Sequence, residues 1–353
     1  MKNSLKFKNW LSDSFVIVFL YFFYTRIPYF RDYFSETHHL FLTFRAIDLF
    51  FYLAIVFLGF ILLFRIFFPS RKKSKSLIFL EVLWRFLTSF FSIKKLSVSR
   101  EEKTAFFSLL IRAFYFPLMI NWLLFHLENV FAYGLSFKFL GTAMDMGNFA
   151  FFFNDSLFWF FFNIVFLLDT AVFAFAYLVE SKKLGNIIRS VEPTLFGWVV
   201  ALACYPPFNQ ITNHFIIWES KDSVTGFASQ NANLFFNVLI LLSLVIYGWA
   251  SVALGFKAGN LVNRGIVSHG PYRFVRHPAY ISKNFAWWIG SLPFLISAWQ
   301  TSVFQMLFIF VNVVLWSLLY YFRAITEENH LLRDPEYRKY AKKIPYRFIP
   351  GVF

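Results

Sequence analysis

Long apolar runs separated by short polar segments dominate this chain. A helix needs about 20 apolar residues to cross the roughly 30 Å hydrocarbon core of a bilayer. Runs of about this length predict eight membrane-spanning helices, near residues 14–30, 47–68, 105–131, 157–180, 194–209, 234–255, 279–298 and 302–322. The expected fold is therefore an all-α, polytopic transmembrane helical bundle.

Two segments depart from this simple pattern. The run at 194–209 is short and is bounded by Glu192-Pro193 and Pro206-Pro207, so we expect a broken or tilted helix there. The segment 77–92 carries opposite charges four residues apart, Glu81 and Arg85. This spacing predicts an amphipathic helix lying at the membrane interface.

Basic residues alternate between the two sides of the predicted membrane. With the N-terminus inside, the inner segments hold 26 Lys and Arg residues and the outer segments hold five. This asymmetry is typical of cytoplasmic loops and predicts that both termini are cytoplasmic. We take a bacterial inner membrane as the expected location.

Composition excludes other protein classes. Apolar side chains make up 58% of the residues, more than a soluble fold can bury or a disordered chain would contain. The net charge of +15 is explained by the basic inner loops, so no nucleic acid partner is predicted. A lone cysteine, Cys204, forms no internal disulfide, and no metal site is predicted because no Cys/His pattern has metal-ligand spacing.

The character of the chain changes along its length and suggests three regions. Residues 1–148 are predicted as N-terminal transmembrane helices with a basic interfacial segment at 69–104. Residues 149–255 form the middle transmembrane helices. Residues 256–353 collect Gly, Pro, His, Tyr and paired Glu residues into short polar segments, and we expect a functional site there.

Two polar segments flank the last pair of predicted spans. The first, G-P-Y-R-F-V-R-H-P-A-Y at 270–280, puts Pro278 in the first helical turn and Arg276 and His277 at its N-terminus. The second begins at Arg323 and contains Glu327 and Glu328. Because only a few residues join the two spans, they must be antiparallel neighbours, and both segments meet at one membrane surface.

This juxtaposition suits a ligand that carries both charges and an aromatic ring. Carboxylates can accept hydrogen bonds from ribose hydroxyls or an ammonium group, and basic side chains can bind a carboxylate. The alternative is purely structural: Arg276 and Arg323 would anchor the helices at the cytoplasmic surface, and the two glutamates would begin a solvated helix.

Together the two segments resemble the isoprenylcysteine carboxyl methyltransferases and the related integral-membrane phospholipid methyltransferases. The string at 270–280 is followed by R-A-I-T-E-E-N-H-L-L-R-D-P-E-Y-R-K-Y from residue 323, and the tail carries a similar R-x-I-P. The resemblance covers residues 269–353. It implies an S-adenosylmethionine-dependent methyltransferase that acts on a lipidic or prenylated acceptor, a carboxylate or an amine, at the cytoplasmic face.

The resemblance also implies roles for particular residues. Arg323 and Glu328 are the expected catalytic residues. The expected cofactor-binding residues are Tyr272, Arg276, His277, Pro278, Tyr280, Glu327, Glu328, Tyr337 and Tyr340. An amine acceptor would need a proton acceptor, for which His277 and Glu328 are available, whereas a carboxylate would not.

This sequence departs from the family pattern in three places. Ser282 stands where a small residue, often Gly, is usual, and Lys283 follows it. Lys283 either contacts an anionic substrate or extends to the membrane interface, and we favour the interface. The first three spans and the segment 69–104 have no counterpart in compact family members. Inside other predicted spans, Asp169 and Arg112 either form a structural interhelical pair or contact the substrate, and we favour the structural pair.

Two other functions are compatible with the pattern. Membrane sterol and enone reductases use NADPH and have a similar R-H-P-x-Y string, although the Glu-rich second segment favours the methyltransferase. A non-catalytic transporter or scaffold is the other alternative, but the sequence has no internal repeat of the kind that transporters often show.

Overall fold

Helices account for most of the chain. The computed structural model describes residues 2–40, 42–67, 72–92 and 97–352. It divides into two compact units, residues 1–125 and 126–353. Parts of the predicted interfacial segment, 69–71 and 93–96, lie outside the described residues, as does the last residue of the predicted span 47–68.

The first unit is built on four helices and a short hairpin. Its elements are α1 Lys2–Arg26, α2 Pro28–Tyr33, the antiparallel strands β1 Thr37–His39 and β2 Thr43–Arg45, α3 Ala46–Phe67, α4 Lys75–Ser92, and the start of α5 Arg100–Gly134. Rings of Tyr24, Phe34 and Phe50 pack edge to face in its interior. Helix α4 coincides with the amphipathic helix that the sequence predicts at 77–92.

The second unit contains the polar C-terminal segments. After α5 come α6 Leu140–Asp145, α7 Phe149–Phe152, a π-helical turn Phe153–Leu157, α8 Phe158–Leu178, β3 Ser190–Val191, α9 Leu195–Leu202 and α10 Phe208–Phe215. Then follow α11 Gln230–Leu254, β4 Val262–Asn263, a 3-10 turn Gly270–Arg273, α12 Pro278–Thr301, α13 Val303–Leu331 and α14 Pro335–Lys343.

Helix α11 lies between α8 and α12. A buried apolar cluster joins the three helices, with Phe158 and Val165 from α8, Ile240 and Leu244 from α11, and Ile289 from α12. Only Ser302 separates α12 from α13, and these antiparallel helices pack together through a hydrogen bond from Trp288 Nε1 to Ser317 Oγ of 3.1 Å. The predicted helical hairpin is therefore confirmed.

Among the described residues, five helical segments are long and apolar enough to cross a membrane. They are Ala46–Phe64, Arg100–Asp145, Phe149–Leu178, Gln230–Lys257 and Val303–Leu331. Helices α1 and α12 have the length to span but carry more polar residues. This is a multi-pass helical membrane protein, as the sequence predicts.

The fifth predicted span is not one helix. The structure divides 194–209 between α9 and α10, with Pro206 and Pro207 between them. Each of the two helices has eight residues, about 12 Å of length, which is well short of the hydrocarbon core. The interruption expected from the proline pair is confirmed.

Three predicted inner segments of the second unit lie at the same end of its helices. Strands β3 and β4 pair antiparallel, which joins 181–193 to 256–278. The backbone of Arg276 and His277 donates to the carbonyls of Tyr346 and Arg347, at 3.0 and 2.9 Å, which adds the C-terminal tail. We call this end of the unit the site end.

Candidate active site

The string at 270–280 folds as a turn followed by a helix start. Gly270 has φ +61°, and a Cβ there would lie 2.9 Å from the Cβ of Ala253, so both its backbone and its surroundings require glycine. Pro278 is the first residue of α12, where its missing N–H costs nothing. As a result, Arg276 and His277 stand at the start of the helix, as predicted.

Glu328 forms the centre of a buried ion cluster. Its carboxylate lies 3.0 Å from His277 Nε2, 3.2 Å from Arg276 Nε and 3.0 Å from Arg347 Nε. The cluster joins the start of α12, the end of α13 and the C-terminal tail. Glu328 does not line the cavity described below, so its geometry favours positioning of His277 and Arg276 over direct contact with a ligand.

Glu327, one residue earlier, points elsewhere. It lines a cavity, and its carboxylate accepts a hydrogen bond of 2.7 Å from the hydroxyl of Tyr280. The Tyr280 ring lies parallel to the ring of His277, with 5.3 Å between centroids and 7° between planes. The structure therefore brings the two predicted segments together, with one glutamate facing the cavity and the other facing the ion cluster.

Arg323 lies on α13 one helical turn before Glu327, and it is buried. Three tyrosine rings surround its guanidinium carbon, at 5.4 Å for Tyr205, 5.3 Å for Tyr280 and 5.5 Å for Tyr320. The guanidinium donates to the amide oxygen of Asn260 and to the hydroxyl of Tyr205. In the described part of the chain, no carboxylate forms an ion pair with it, so the cation has neutral partners only.

The C-terminal helix α14 covers the cavity with aromatic side chains. Tyr337 and Tyr340 are buried and line the cavity, and the Tyr340 hydroxyl donates to the carbonyl of Tyr272 at 2.7 Å. Burial raises the pKa of all three tyrosines well above the usual value, so their hydroxyls stay protonated at neutral pH.

A cluster of polar side chains that the sequence analysis did not identify holds α14 in place. Arg189 lies 3.3 Å from Asp334 and 2.8 Å from Glu336, and Asn263 donates to Asp334 at 2.9 Å. Partial burial raises the pKa of Asp334, but the bonds from Asn263 and Arg189 outweigh it and the pKa lies below its usual range. We call these four residues the Arg189 cluster.

Many of these groups line one cavity at the site end. The cavity has a volume of about 150 Å³ and opens to solvent. Tyr272, Arg276, His277, Tyr280, Arg323, Glu327, Tyr337 and Tyr340 line it. Lys283 also lines it, as do Tyr205, Tyr247, Ser251, Asn260 and Arg264, which the sequence analysis did not identify.

Lys283 does not extend to the interface, so that interpretation is wrong. The side chain lines the cavity, with Nζ 4.8 Å from the ring centroid of Tyr247. Its neighbour Ser282 is buried, and its carbonyl accepts 2.6 Å from Ser243 Oγ of α11. The small residue thus permits close contact between α11 and α12 next to Lys283.

Asp169 stands behind the wall of the cavity. It accepts hydrogen bonds from the hydroxyls of Tyr247 at 2.8 Å and Ser251 at 2.5 Å, both on α11. These contacts are interhelical, and the partners are neutral side chains rather than an arginine. Among the described residues, no group of three His, Cys, Asp or Glu side chains could hold a metal ion.

Comparison with known proteins identifies part of this region. Residues 237–333 match the family model of the isoprenylcysteine carboxyl methyltransferase (ICMT) family. No curated protein matches the chain. The matched segment contains both polar strings up to Arg333 and the α12–α13 hairpin. The match confirms the resemblance seen in the sequence and supports a membrane methyltransferase of the isoprenylcysteine type.

Proposed function

We propose that the chain transfers a methyl group from S-adenosylmethionine to a carboxylate on a lipophilic acceptor. The observation that carries this proposal is Arg323, a buried cation in the cavity whose described partners are all neutral. A buried cation is costly unless an anion joins it. An acceptor carboxylate would supply that anion, whereas an amine acceptor would bring a second positive charge.

The residues of the cavity fit the proposed cofactor. Glu327 offers a carboxylate to ribose hydroxyls or an ammonium group, and the parallel rings of His277 and Tyr280 offer an aromatic surface. The residues proposed to hold the cofactor, directly or through the ion cluster, are Tyr272, Arg276, His277, Pro278, Tyr280, Glu327, Glu328, Tyr337 and Tyr340. When bound, S-adenosylmethionine supplies a methyl group on a positively charged sulfur.

The protein's own contribution is orientation and exclusion of water. Arg323 would hold the acceptor carboxylate by charge-assisted hydrogen bonds, and its three tyrosine rings fix the guanidinium before the acceptor arrives. A carboxylate carries no proton to remove, so no general base is needed. Glu328 would act by positioning His277 and Arg276, since its oxygens are already occupied by basic groups.

The proposed membrane arrangement follows from the charge distribution. The site end carries the basic inner segments, which supports a cytoplasmic site with both termini inside. A bacterial inner membrane remains the proposed location. We propose three regions along the chain, 1–148, 149–255 and 256–353, with cofactor binding in the third.

Binding of cofactor products tests the proposal against its alternatives. Purified full chain in detergent should be thermally stabilised by S-adenosylhomocysteine and not by NADPH, because a ligand that binds the folded state raises its stability. Glu327→Gln should remove this stabilisation, whereas Glu101→Gln, at an exposed carboxylate of α5, should keep it. Stabilisation by NADPH alone would instead support a reductase, and stabilisation by neither would support a transporter or scaffold.

The acceptor is tested by transfer of labelled methyl. Membrane lipid extract incubated with the protein and labelled S-adenosylmethionine should yield a base-labile methyl ester, because an ester hydrolyses in mild alkali and a methylated amine does not. A labelled product that survives alkali would contradict the carboxylate assignment while leaving the methyltransferase intact.

A further inference from the structure

Lys283 places a second cation in the cavity. It lies on α12 three residues after Tyr280, about 4.5 Å further along the helix axis. Its Nζ is 4.8 Å from the ring centroid of Tyr247 and 5.6 Å from that of Phe166. The faces of aromatic rings attract an ammonium cation, and both rings lie beside the Nζ.

Asp169 and Asp222 act on the charge of Lys283 at longer range, but neither forms a direct ion pair with it. Asp169 accepts from Tyr247 and Ser251 with its two oxygens, which fixes the Tyr247 ring against the ammonium group. Within the described ranges, no carboxylate lies within 4.0 Å of Lys283 Nζ and no acceptor forms a hydrogen bond with it. The three N–H donors of the ammonium group therefore face the cavity or rings.

Lys283 and Arg323 both lack an ion pair with a described carboxylate, and both line the same cavity. Tyr280 lies one turn before Lys283 on α12, and its ring centroid is 5.3 Å from the guanidinium carbon of Arg323. Arg323 is buried and Lys283 is partly exposed in the cavity, and neither has a direct anionic partner among the described residues. Charged side chains of this kind in a membrane protein mark a ligand site, and a ligand with negative charge would pair with them.

Resting on the proposed function, we infer that the acceptor head carries two anionic groups. Arg323 binds the carboxylate that receives the methyl group, and Lys283 binds the second anion, which makes Lys283 a specificity-determining residue. A dicarboxylate head on an apolar chain has this chemistry. With the cofactor carboxylate bound elsewhere, an acceptor with a single carboxylate would leave one of the two cations without a direct partner.

Two synthetic acceptors of matched chain length provide the test. Tetradecanoate carries one carboxylate and tetradecylsuccinate carries two on neighbouring carbons. Binding of each to the purified full chain saturated with S-adenosylhomocysteine is measured by calorimetry, and methyl transfer is measured with labelled cofactor. The wild-type chain should bind tetradecylsuccinate at least about 10-fold more tightly, which is the scale of one buried charge pair.

Substitution of Lys283 should remove this preference. We expect Lys283→Met to lower affinity for tetradecylsuccinate at least about 10-fold more than affinity for tetradecanoate, and Lys283→Arg to retain the preference. Lys221→Met is the matched control, because Lys221 Nζ also lies over a ring, that of Phe294 at 5.8 Å, but does not line the cavity. Lys283→Gln provides a second variant should the methionine form fail to fold.

Three results would overturn the inference without touching the proposed function. The first is a wild-type chain that transfers methyl to tetradecanoate but shows no preference for the dianion. The second is an equal loss of both acceptors in Lys283→Met, which would indicate a structural role. The third is loss of S-adenosylhomocysteine affinity in that variant, which would assign Lys283 to the cofactor carboxylate. Failure of the wild-type chain to bind S-adenosylhomocysteine would instead refute the proposed function.

Discussion

The two adjacent glutamates of α13 should give opposite phenotypes when each is changed to glutamine. Consecutive helical residues point about 100° apart, and here that difference puts Glu327 in the cavity and Glu328 in the ion cluster. Glu328→Gln should lower thermal stability. Glu327→Gln should lower affinity for S-adenosylhomocysteine at near wild-type stability.

The magnitude for Glu328→Gln follows from burial of the cluster. The Glu328 side chain is 2% exposed and those of its partners His277 and Arg276 are 5% and 10% exposed, so water cannot replace the lost charge there. Arg347 is 33% exposed and can be hydrated. Breaking a buried pair costs about 3–5 kcal/mol. The lower end applies because glutamine retains one oxygen, which corresponds to roughly 6–12 °C for a domain of 150–250 residues.

The Glu327→Gln variant should behave differently. The glutamine oxygen can still accept from the Tyr280 hydroxyl, so the fold keeps that contact, but the charge offered to a ligand is gone. A hydrogen bond to a charged group contributes about 1.5–3 kcal/mol, which corresponds to a loss of affinity of at least about 10-fold. Thermal unfolding and calorimetric titration on the same preparations measure both quantities. Reversed phenotypes, with Glu328→Gln stable but unable to bind, would refute the assignment of the two carboxylates.

Three further predictions concern the acceptor, the cover and the topology. Arg323→Gln should lower the rate of methyl transfer at least about 100-fold, because it removes the side chain that binds the acceptor carboxylate. Affinity for S-adenosylhomocysteine should stay within a few fold of wild type, and loss of that affinity would contradict the assignment. Arg189→Ala should raise the dissociation rate of S-adenosylhomocysteine by up to about fivefold, because exposed ion pairs contribute about 1 kcal/mol or less. Acidification should also raise this dissociation rate in the wild-type chain. At pH values above the usual pKa of an aspartate, the ionised Asp334 stabilises the Arg189 cluster, and this contribution is lost as the pH falls through the lowered pKa of Asp334. A membrane-impermeant maleimide added to intact cells should label Asp145→Cys and not Lys182→Cys in a Cys204→Ser background, because these exposed positions lie near opposite ends of α8; the reverse labelling would invert the topology.

The sequence predicts the parts of this site that depend on local pattern. Pro278 fixes the start of α12, and the short connection at Ser302 forces α13 to return beside it, so His277 and Glu328 had to meet. These are consequences of helix length and chain connectivity, which residues 270–340 contain in full. For the same reason the proline pair at 206–207 correctly indicated a break.

The sequence does not determine in which direction each of these side chains points. Glu327 and Glu328 are the same residue type at neighbouring positions, and only the packing of α13 decides which of them faces the cavity. Lys283 was wrongly assigned to the interface because the position of a lysine near a helix start favours that interpretation. Its place in the cavity wall is set by the packing of α12 against α11, where Ser282 contacts Ser243, 39 residues away in the sequence.

The family match covers only part of the cavity wall. Residues 237–333 include Arg276, His277 and Glu327, which are proposed for the cofactor, and also Lys283 and Arg323, which are proposed for the acceptor. The aromatic wall around Arg323 is completed by Tyr205, which lies outside the match on the interrupted segment between α9 and α10. That part of the wall therefore comes from a segment that the family pattern does not define. The identity of the acceptor should accordingly depend on residues 194–215 as well as on Arg323 and Lys283.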